Sequence, residues 1–271
     1  MIKNKKDYSA PALEKGLDIL ELLAIAPFGL SQAEIALKLK RSVNEIYRML
    51  SILVKRNYIE LDENSEKYLI TYKLLEISSH HQPIKNLMQK ALPIMREVAQ
   101  LCNHSLHLSI YYAGKLLVIG QVDSPSSFNY SVSVGSTFDL LETSSGRVIL
   151  TFQTDEERAR RLKRRKLFIK YEKNYHLTPK QLKIIEKKYS SKTIHEILKN
   201  NCEVVKSLQV NGVTNISVPI LDHTKNAIAA ITIPYLDRIN KNSSNDVSLM
   251  ESKKILLKNS IRLSKSLGYK K

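Results

Sequence analysis

Cysteine is scarce in this chain of 271 residues: Cys102 and Cys202 are the only two. That argues against a secreted scaffold held by disulfides. Two thiols are also too few for a structural zinc site of the thiolate kind. Long apolar runs are missing. No stretch approaches the roughly 18–20 residues needed to span a bilayer. The densest apolar stretch, residues 227–233, is seven residues long and reads as a buried strand. The basic start, Met1-Ile-Lys-Asn-Lys-Lys-Asp7, has no apolar signal core behind it. A soluble cytoplasmic protein is the expectation. The chain also has no Gly-x-Ser-x-Gly elbow, no glycine-rich phosphate loop and no paired-carboxylate cleft signature. Nothing points to an enzyme, and no cofactor is implied.

Acids are outnumbered: 43 Lys and Arg face 26 Asp and Glu, a net charge of +17. A polyanionic partner is the first inference, but the distribution qualifies it. Residues 1–82 carry a net charge of +1, and residues 83–271 carry +16. Within residues 158–192, fourteen basic residues face only Glu172 and Glu186. Attraction to phosphate needs local clustering rather than a whole-chain excess. A charge run of this kind reads first as a solvated helical face, with an accessory DNA or anion contact as the alternative.

The strongest local signal is a pair of capping boxes. Ser31-Gln-Ala-Glu34 and Ser42-Val-Asn-Glu45 start eleven residues apart. Each sets a hydroxyl at a candidate N-cap and a carboxylate three residues on, so that the two satisfy orphan amides at a helix start. The spacing predicts a short helix over about residues 31–38, a tight turn, and a second helix over about residues 42–56. That is a helix-turn-helix, whose second helix enters the DNA major groove. Val43, Ile46, Leu50 and Leu53 form its inward stripe; Asn44, Glu45, Tyr47, Arg48 and Ser51 fall away from it. An amphipathic helix over residues 12–26 precedes the pair and is stopped by Pro27-Phe-Gly29. Two β-prone runs, 58–61 and 68–71, flank a polar tip at 62–67 and predict a hairpin wing.

Beyond the wing, residues 74–81 predict a linker helix ending before Pro83. Residues 87–101 predict another helix, with Pro93 awkward in its interior. Strands are then expected at 105–112, 116–122 and 130–134, and helices at 140–152, 155–166, 178–188 and 191–200. Strands return at 204–208, 213–221 and 227–234, the last two joined by a turn at 222–226. A closing helix covers 247–267, after a polar and mobile segment at 237–246. The fold class is α+β, with a mainly antiparallel sheet in the second half. The expected boundaries are residues 8–72 for a winged helix-turn-helix, 73–84 for the linker helix and 85–271 for an effector-binding domain.

Together these stretches resemble the IclR family of bacterial transcriptional regulators, over nearly the whole chain. The resemblance rests on Ala12 to Leu23, on Glu45-Ile-Tyr-Arg-Met-Leu50, on Leu53 to Glu60, on Thr143-Ser-Ser-Gly-Arg147 and on Gly212 to Asp222. The chain departs from the family pattern in places. Ser42 and Val43 stand where Pro and Lys are frequent, Ile70-Thr71 where the wing usually continues with Leu-Gly, and Asn215 at a frequent Cys. Val205 falls near a position that is acidic in some members. The resemblance implies an N-terminal winged helix-turn-helix and a GAF-like C-terminal domain that binds a small molecule and oligomerises. It implies regulation of transcription, in which repression is one sense. Operator and effector are left open.

Candidate site residues follow. For DNA they are Ser31, Gln32, Lys40, Arg41, Ser42, Asn44, Glu45, Tyr47, Arg48 and Lys67. Arg48 is foremost, because arginine reads guanine bidentately or clamps phosphate. Asn44 would read adenine, Glu45 would accept from cytosine if its cap leaves it free, and Ser42 would offer its hydroxyl and amides to phosphate. For the effector, the resemblance implicates Tyr130, Phe138, Ser144, Ser145, Val205, Val213, Asn215 and Thr232. A helix beginning near Thr143 would present free amides to a carboxylate, so an organic acid is expected, bound without metal. His104 and His107 are three apart in an expected strand and so point to opposite faces, which disfavours a metal site; His80 and His81 read as solvated. The expected partners are a double-stranded DNA operator, a small-molecule effector and a second copy of the chain, as a homodimer or dimer of dimers, with no membrane. Two half-sites one turn apart require at least a dimer. The alternative is a ligand-sensing module that acts mainly through protein–protein contacts.

Overall fold

A computed structural model of the chain describes residues 10–127, 129–172, 175–237 and 247–270. The chain divides into two compact units, Met1–Lys85 and Asn86–Lys271.

The first unit contains α1 (Pro11–Ala24), α2 (Gln32–Leu39), α3 (Val43–Lys55), β1 (Ile59–Asp62), β2 (Lys67–Ile70) and α4 (Lys73–Ser79). Both expected capping boxes form. Ser31 Oγ accepts from Glu34 N at 3.3 Å while Ser31 N donates to the Glu34 carboxylate at 2.7 Å. Ser42 and Glu45 repeat the exchange at 3.3 and 3.0 Å. Between the two helices Lys40 adopts a left-handed conformation (φ 53°), and Arg41 N closes back on Ala36 O. Ile19, Leu23, Leu30, Ile35, Ile46, Leu50, Ile59 and Tyr68 make one core that joins α1, α2, α3 and the wing. Val43 departs from the expected inward stripe: it lies in the first turn of α3, beyond the reach of that core, and is 46% exposed. β1 and β2 pair antiparallel from Ile59↔Ile70 to Asp62↔Lys67, and Leu30 bridges Tyr68 from the other side.

The second unit is a six-stranded antiparallel sheet with helices on both faces. Its elements are α5 (Gln82–Cys102), β3 (Leu106–Tyr112), β4 (Lys115–Val122), β5 (Thr137–Asp139), α6 (Ser144–Thr151), α7 (Asp155–Tyr171), α8 (Pro179–Lys188), α9 (Ser191–Asn200), β6 (Glu203–Lys206), β7 (Val213–Leu221), β8 (Ala227–Leu236) and α10 (Leu249–Ser266). The strand order is β5-β4-β3-β8-β7-β6. Side chains alternate across a strand, and here the alternation separates two environments. Leu106, Leu108, Ile216, Val218, Ile220, Ala229, Ile231 and Ile233 face one way and pack with α5 and α10. The residues between them face α6, and several are polar: His107, Ser109, Asn215, Ser217 and Thr232.

Several expected elements differ from those formed. Residues 130–134 do not make a strand; the strand that pairs with β4 is β5, further along. Tyr130 O is taken by the Ser105 hydroxyl, so that stretch is held by a side chain rather than by a ladder. The helix expected from residue 140 starts at Ser144, because Asp139 Oδ1 accepts from Leu141 N and Glu142 N and holds those residues in a turn. The linker helix α4 ends before Pro83, as expected, and Pro83 itself lies in the first turn of the next helix, α5, which starts earlier than expected. Proline is tolerated there because that amide has no helical partner in any case. Pro93 lies inside α5 without ending it. α7 runs on to Tyr171, and β6 spans Glu203–Lys206 rather than 204–208. Of the polar segment at 237–246, only Asp237 is among the described residues. Gly146 admits α6 to its position: a Cβ there would lie 2.0 Å from Leu140 O.

The basic segment is more than a solvated face. Arg165 is 1% exposed and its Nε bonds Asp139, itself buried, at 2.8 Å; its Nη1 bonds Glu186 at 3.0 Å. Arg158 caps α6, donating to the carbonyls of Leu150, Thr151 and Gln153. Arg160 and Arg161 share Glu157. Four of the arginines are thus tied to their own unit. Removing one partner of a buried pair strands the other charge, at a cost of about 3–5 kcal/mol. Arg165→Met is expected to lower stability by that order in a urea titration, whereas Arg164→Gln leaves the midpoint nearly unchanged.

Candidate functional site

Two places bring candidate residues together. The first is the outward face of α3. Asn44, Tyr47, Arg48 and Ser51 are exposed, with Tyr47 at 57%. Ile46 and Leu50, on the opposite side, are fully buried and fix the rotation of the helix. Lys40 and Arg41, in the turn before α3, are exposed as well. Gln32 ties the two helices, its amide donating to Val43 O at 3.1 Å. Glu45 is the exception among the DNA candidates. Its carboxylate holds Ser42 N and accepts from Lys15 Nζ at 2.9 Å. The Ser42 amide first and then the Lys15 ammonium bring its pKa down to about 2. Glu45 serves the cap, which leaves it poorly placed to accept from a base. Lys67 lies opposite Asp62 in the wing, next to Glu63 and Glu66; these acids weaken any phosphate contact there.

The second place is a cavity of about 30 Å³ between α6 and the polar face of the sheet. Tyr130, Phe138, Ser144, Ser145, Asn215 and Thr232 all line it. These six come from five separate parts of the chain: the loop at Tyr130, β5, α6, β7 and β8. Val205 and Val213 do not line it. Val213 is buried at the start of β7, and Val205, on β6, borders a different cavity. A chain of hydroxyls runs beneath α6: Ser144 Oγ lies 2.6 Å from Ser217 Oγ, which lies 2.7 Å from Thr232 Oγ1. The N-cap of α6 is Thr143, whose hydroxyl accepts from Gly146 N at 3.2 Å.

His107, one of the two histidines of the His104–His107 pair, also lines this cavity. It is 8% exposed, and its Nδ1 is buried with no hydrogen-bond partner. It pairs with Thr232 across β3 and β8, so it belongs to the polar row. The signal for it in the sequence was parity: His107 is the polar residue between Leu106 and Leu108, in phase with Ser109. His104 stands elsewhere, just before β3, stacked on Tyr235 with Nδ1 2.7 Å from Cys102 O. His80 and His81 are exposed. No group of three metal-ligating side chains occurs among the described residues, and no helix there is long and apolar enough to cross a membrane.

A winged helix-turn-helix followed by an antiparallel sheet domain is the architecture of a DNA-binding regulator. Sequence comparison places the chain within such a class. Residues 81–254 match the model for the bacterial transcriptional regulator IclR C-terminal domain, and residues 12–63 match the IclR helix-turn-helix domain. The chain belongs to the IclR family of bacterial transcriptional regulators. It is 26% identical to the HTH-type transcriptional regulator KdgR of Escherichia coli K12 over 124 residues, 46% of this chain and 47% of that protein. It is 23% identical to the HTH-type transcriptional repressor AllR of the same strain over 148 residues, 55% of each. The chain thus spans about half the length of the curated relatives it matches. Among solved structures, the Thermotoga maritima IclR aligns over 95% of this chain and 98% of its own, with TM-score 0.67 and 23% identity. An IclR homologue from Microbacterium hydrocarbonoxydans, complexed with 4-hydroxybenzoate, aligns over 94% and 98% with TM-score 0.73 and 16% identity. These likenesses establish the fold.

Burial pushes the His107 pKa down from 6.5 to about 4. The folded imidazole is therefore neutral where the unfolded one takes up a proton. Its contribution is fully present above pH 6.5 and is lost as pH falls toward 4. Between pH 7 and pH 5 that linkage amounts to about 2 kcal/mol. His107→Gln is expected to flatten the pH dependence of the urea midpoint across this interval. A wild-type slope retained in the variant would place the titrating group elsewhere.

Proposed function

We propose that this regulator reads a two-fold DNA operator through α3, as a dimer or dimer of dimers, and that a small organic acid held in the cavity beneath α6 sets its affinity for DNA. The observation that carries the DNA reading is the pair of formed capping boxes, which leaves Asn44, Tyr47 and Arg48 outward on a helix fixed from behind by Ile46 and Leu50. Ser31, Gln32, Lys40, Arg41 and Ser42 would position the backbone of the duplex. Association between copies is supported by unburied apolar side chains on α1 and α4: Leu13, Leu17 and Leu75 are 64%, 49% and 66% exposed. Faces of this kind mark association surfaces.

The ligand reading rests on the cavity lining. The first amides of α6, the hydroxyls of Ser144 and Ser145 and the unpartnered His107 ring offer donors, while Tyr130, Phe138 and Leu116 offer apolar wall. Among the described residues no carboxylate lines the cavity to balance a cation. At about 30 Å³ it holds about one water. An organic acid therefore requires outward displacement of a wall, and that would distinguish liganded from free protein. That a homologue of the same fold is complexed with 4-hydroxybenzoate supports an acid of modest size.

Two measurements test these readings. Arg48→Ala is expected to weaken binding to DNA sites selected by the wild type by about tenfold to a hundredfold, the worth of one base-directed arginine, with its melting temperature unchanged. Unaltered affinity in a gel-shift titration would remove Arg48 from the reading head. For the cavity, small carboxylic acids are expected to raise the wild-type melting temperature, and Ser145→Phe is expected to abolish that shift. A cationic amine giving the largest shift would overturn the acid assignment.

A further inference from the structure

A second cavity, of about 470 Å³, lies at the sheet edge, where β6 has no outer partner strand among the described residues. Small-molecule sites span about 300–1,000 Å³. Its lining comes from α6, the end of α8, α9, β6 and α10, and it shares no lining residue with the cavity at His107.

The charges around it are lopsided. Arg147, 2% exposed, donates from Nε to both Glu203 oxygens at 2.9 and 3.0 Å, so those two charges offset each other. Its Nη1 is taken by the carbonyls of Leu141 and Glu142. Its Nη2 has no hydrogen bond to any described residue, although the side chain is almost wholly enclosed and borders the cavity. The remaining charged lining is Lys187, Lys188 and Lys253 against Glu196 alone. None of these lysines forms an ion pair among the described residues. Lys188, from α8, and Lys253, from α10, both line it. Burial pushes the Glu203 carboxyl up, and Arg147 and then Lys188 act against that. Burial likewise pushes the Cys202 thiol up, and the Lys253 ammonium acts against it. Like charges gathered round a concave site repel one another, and a bound anion relieves that repulsion.

We propose that this cavity binds a small dianion, a phosphomonoester or a dicarboxylate, held between Arg147 Nη2, Lys188 and Lys253. An arginine with a free amino group beside mobile ammonium groups suits both chemistries: the guanidinium fixes orientation, and the lysines supply charge. The site is independent of the acid proposed beneath α6.

Calorimetric titration of the full chain with inorganic phosphate and with succinate at low ionic strength tests it. At least one probe is expected to bind saturably with one-site stoichiometry, and the tighter one names the class. Lys188→Ala and Lys253→Ala are each expected to weaken binding about fivefold, as for loss of one partly exposed charge-assisted contact. Lys253→Arg and Lys170→Ala on α7 are expected to bind as the wild type does. Absence of saturation by both probes overturns the proposal. So does binding that survives both alanine variants, or an equal loss in Lys170→Ala, which would mark diffuse attraction.

Discussion

One row of polar side chains beneath α6 sets the character of the second unit. Across the sheet, Glu203 pairs with Ser217, Ser217 with Thr232, and Thr232 with His107. A buried face of this kind is tolerated only where its polar atoms find partners. Ser144 reaches down from α6 to Ser217, and Arg147, one turn further on, reaches Glu203. At the far end His107 is left without a partner. Satisfied at one end and open at the other, the row fastens α6 to the sheet and leaves a polar cavity between them.

The arginines show how a strongly basic chain can still have few free cations where they first seem abundant. Arg147, Arg158 and Arg165 act as struts, holding carbonyls or enclosed carboxylates. Arginine suits this because its planar fork satisfies several acceptors at once and stays charged when enclosed. The charges left for other work are mainly lysines. Three of them gather at the edge of β6, while Arg48 on α3 and Lys40 and Arg41 before it remain exposed. Total charge therefore says little about where an anion binds; position and pairing decide.

The DNA-reading unit was legible because its determinants are local. A capping box spans four residues, and helical periodicity spans a few turns, so Ser31, Glu34, Ser42 and Glu45 announced both helices. Glu45 shows the limit of that legibility. Its role depends on Lys15, thirty residues earlier, which takes the second side of its carboxylate. Val43 shows another limit: its place in the helical stripe was right, but the core ends one turn short of it.

By itself the sequence determined the winged helix-turn-helix, the α+β class with its antiparallel sheet, and six residues of the cavity through family resemblance. Tertiary structure alone decided what lies across from what. It formed the edge strand at β5 rather than at residues 130–134, where the Ser105 hydroxyl takes the Tyr130 carbonyl. It turned Arg165 inward to Asp139, and it brought His107 into register with Thr232 and Ser217. Propensity and periodicity act over a few residues and can be read along the chain. Pairing across a sheet and the burial of a charge depend on residues tens to more than a hundred positions apart, and only the folded chain brings these together.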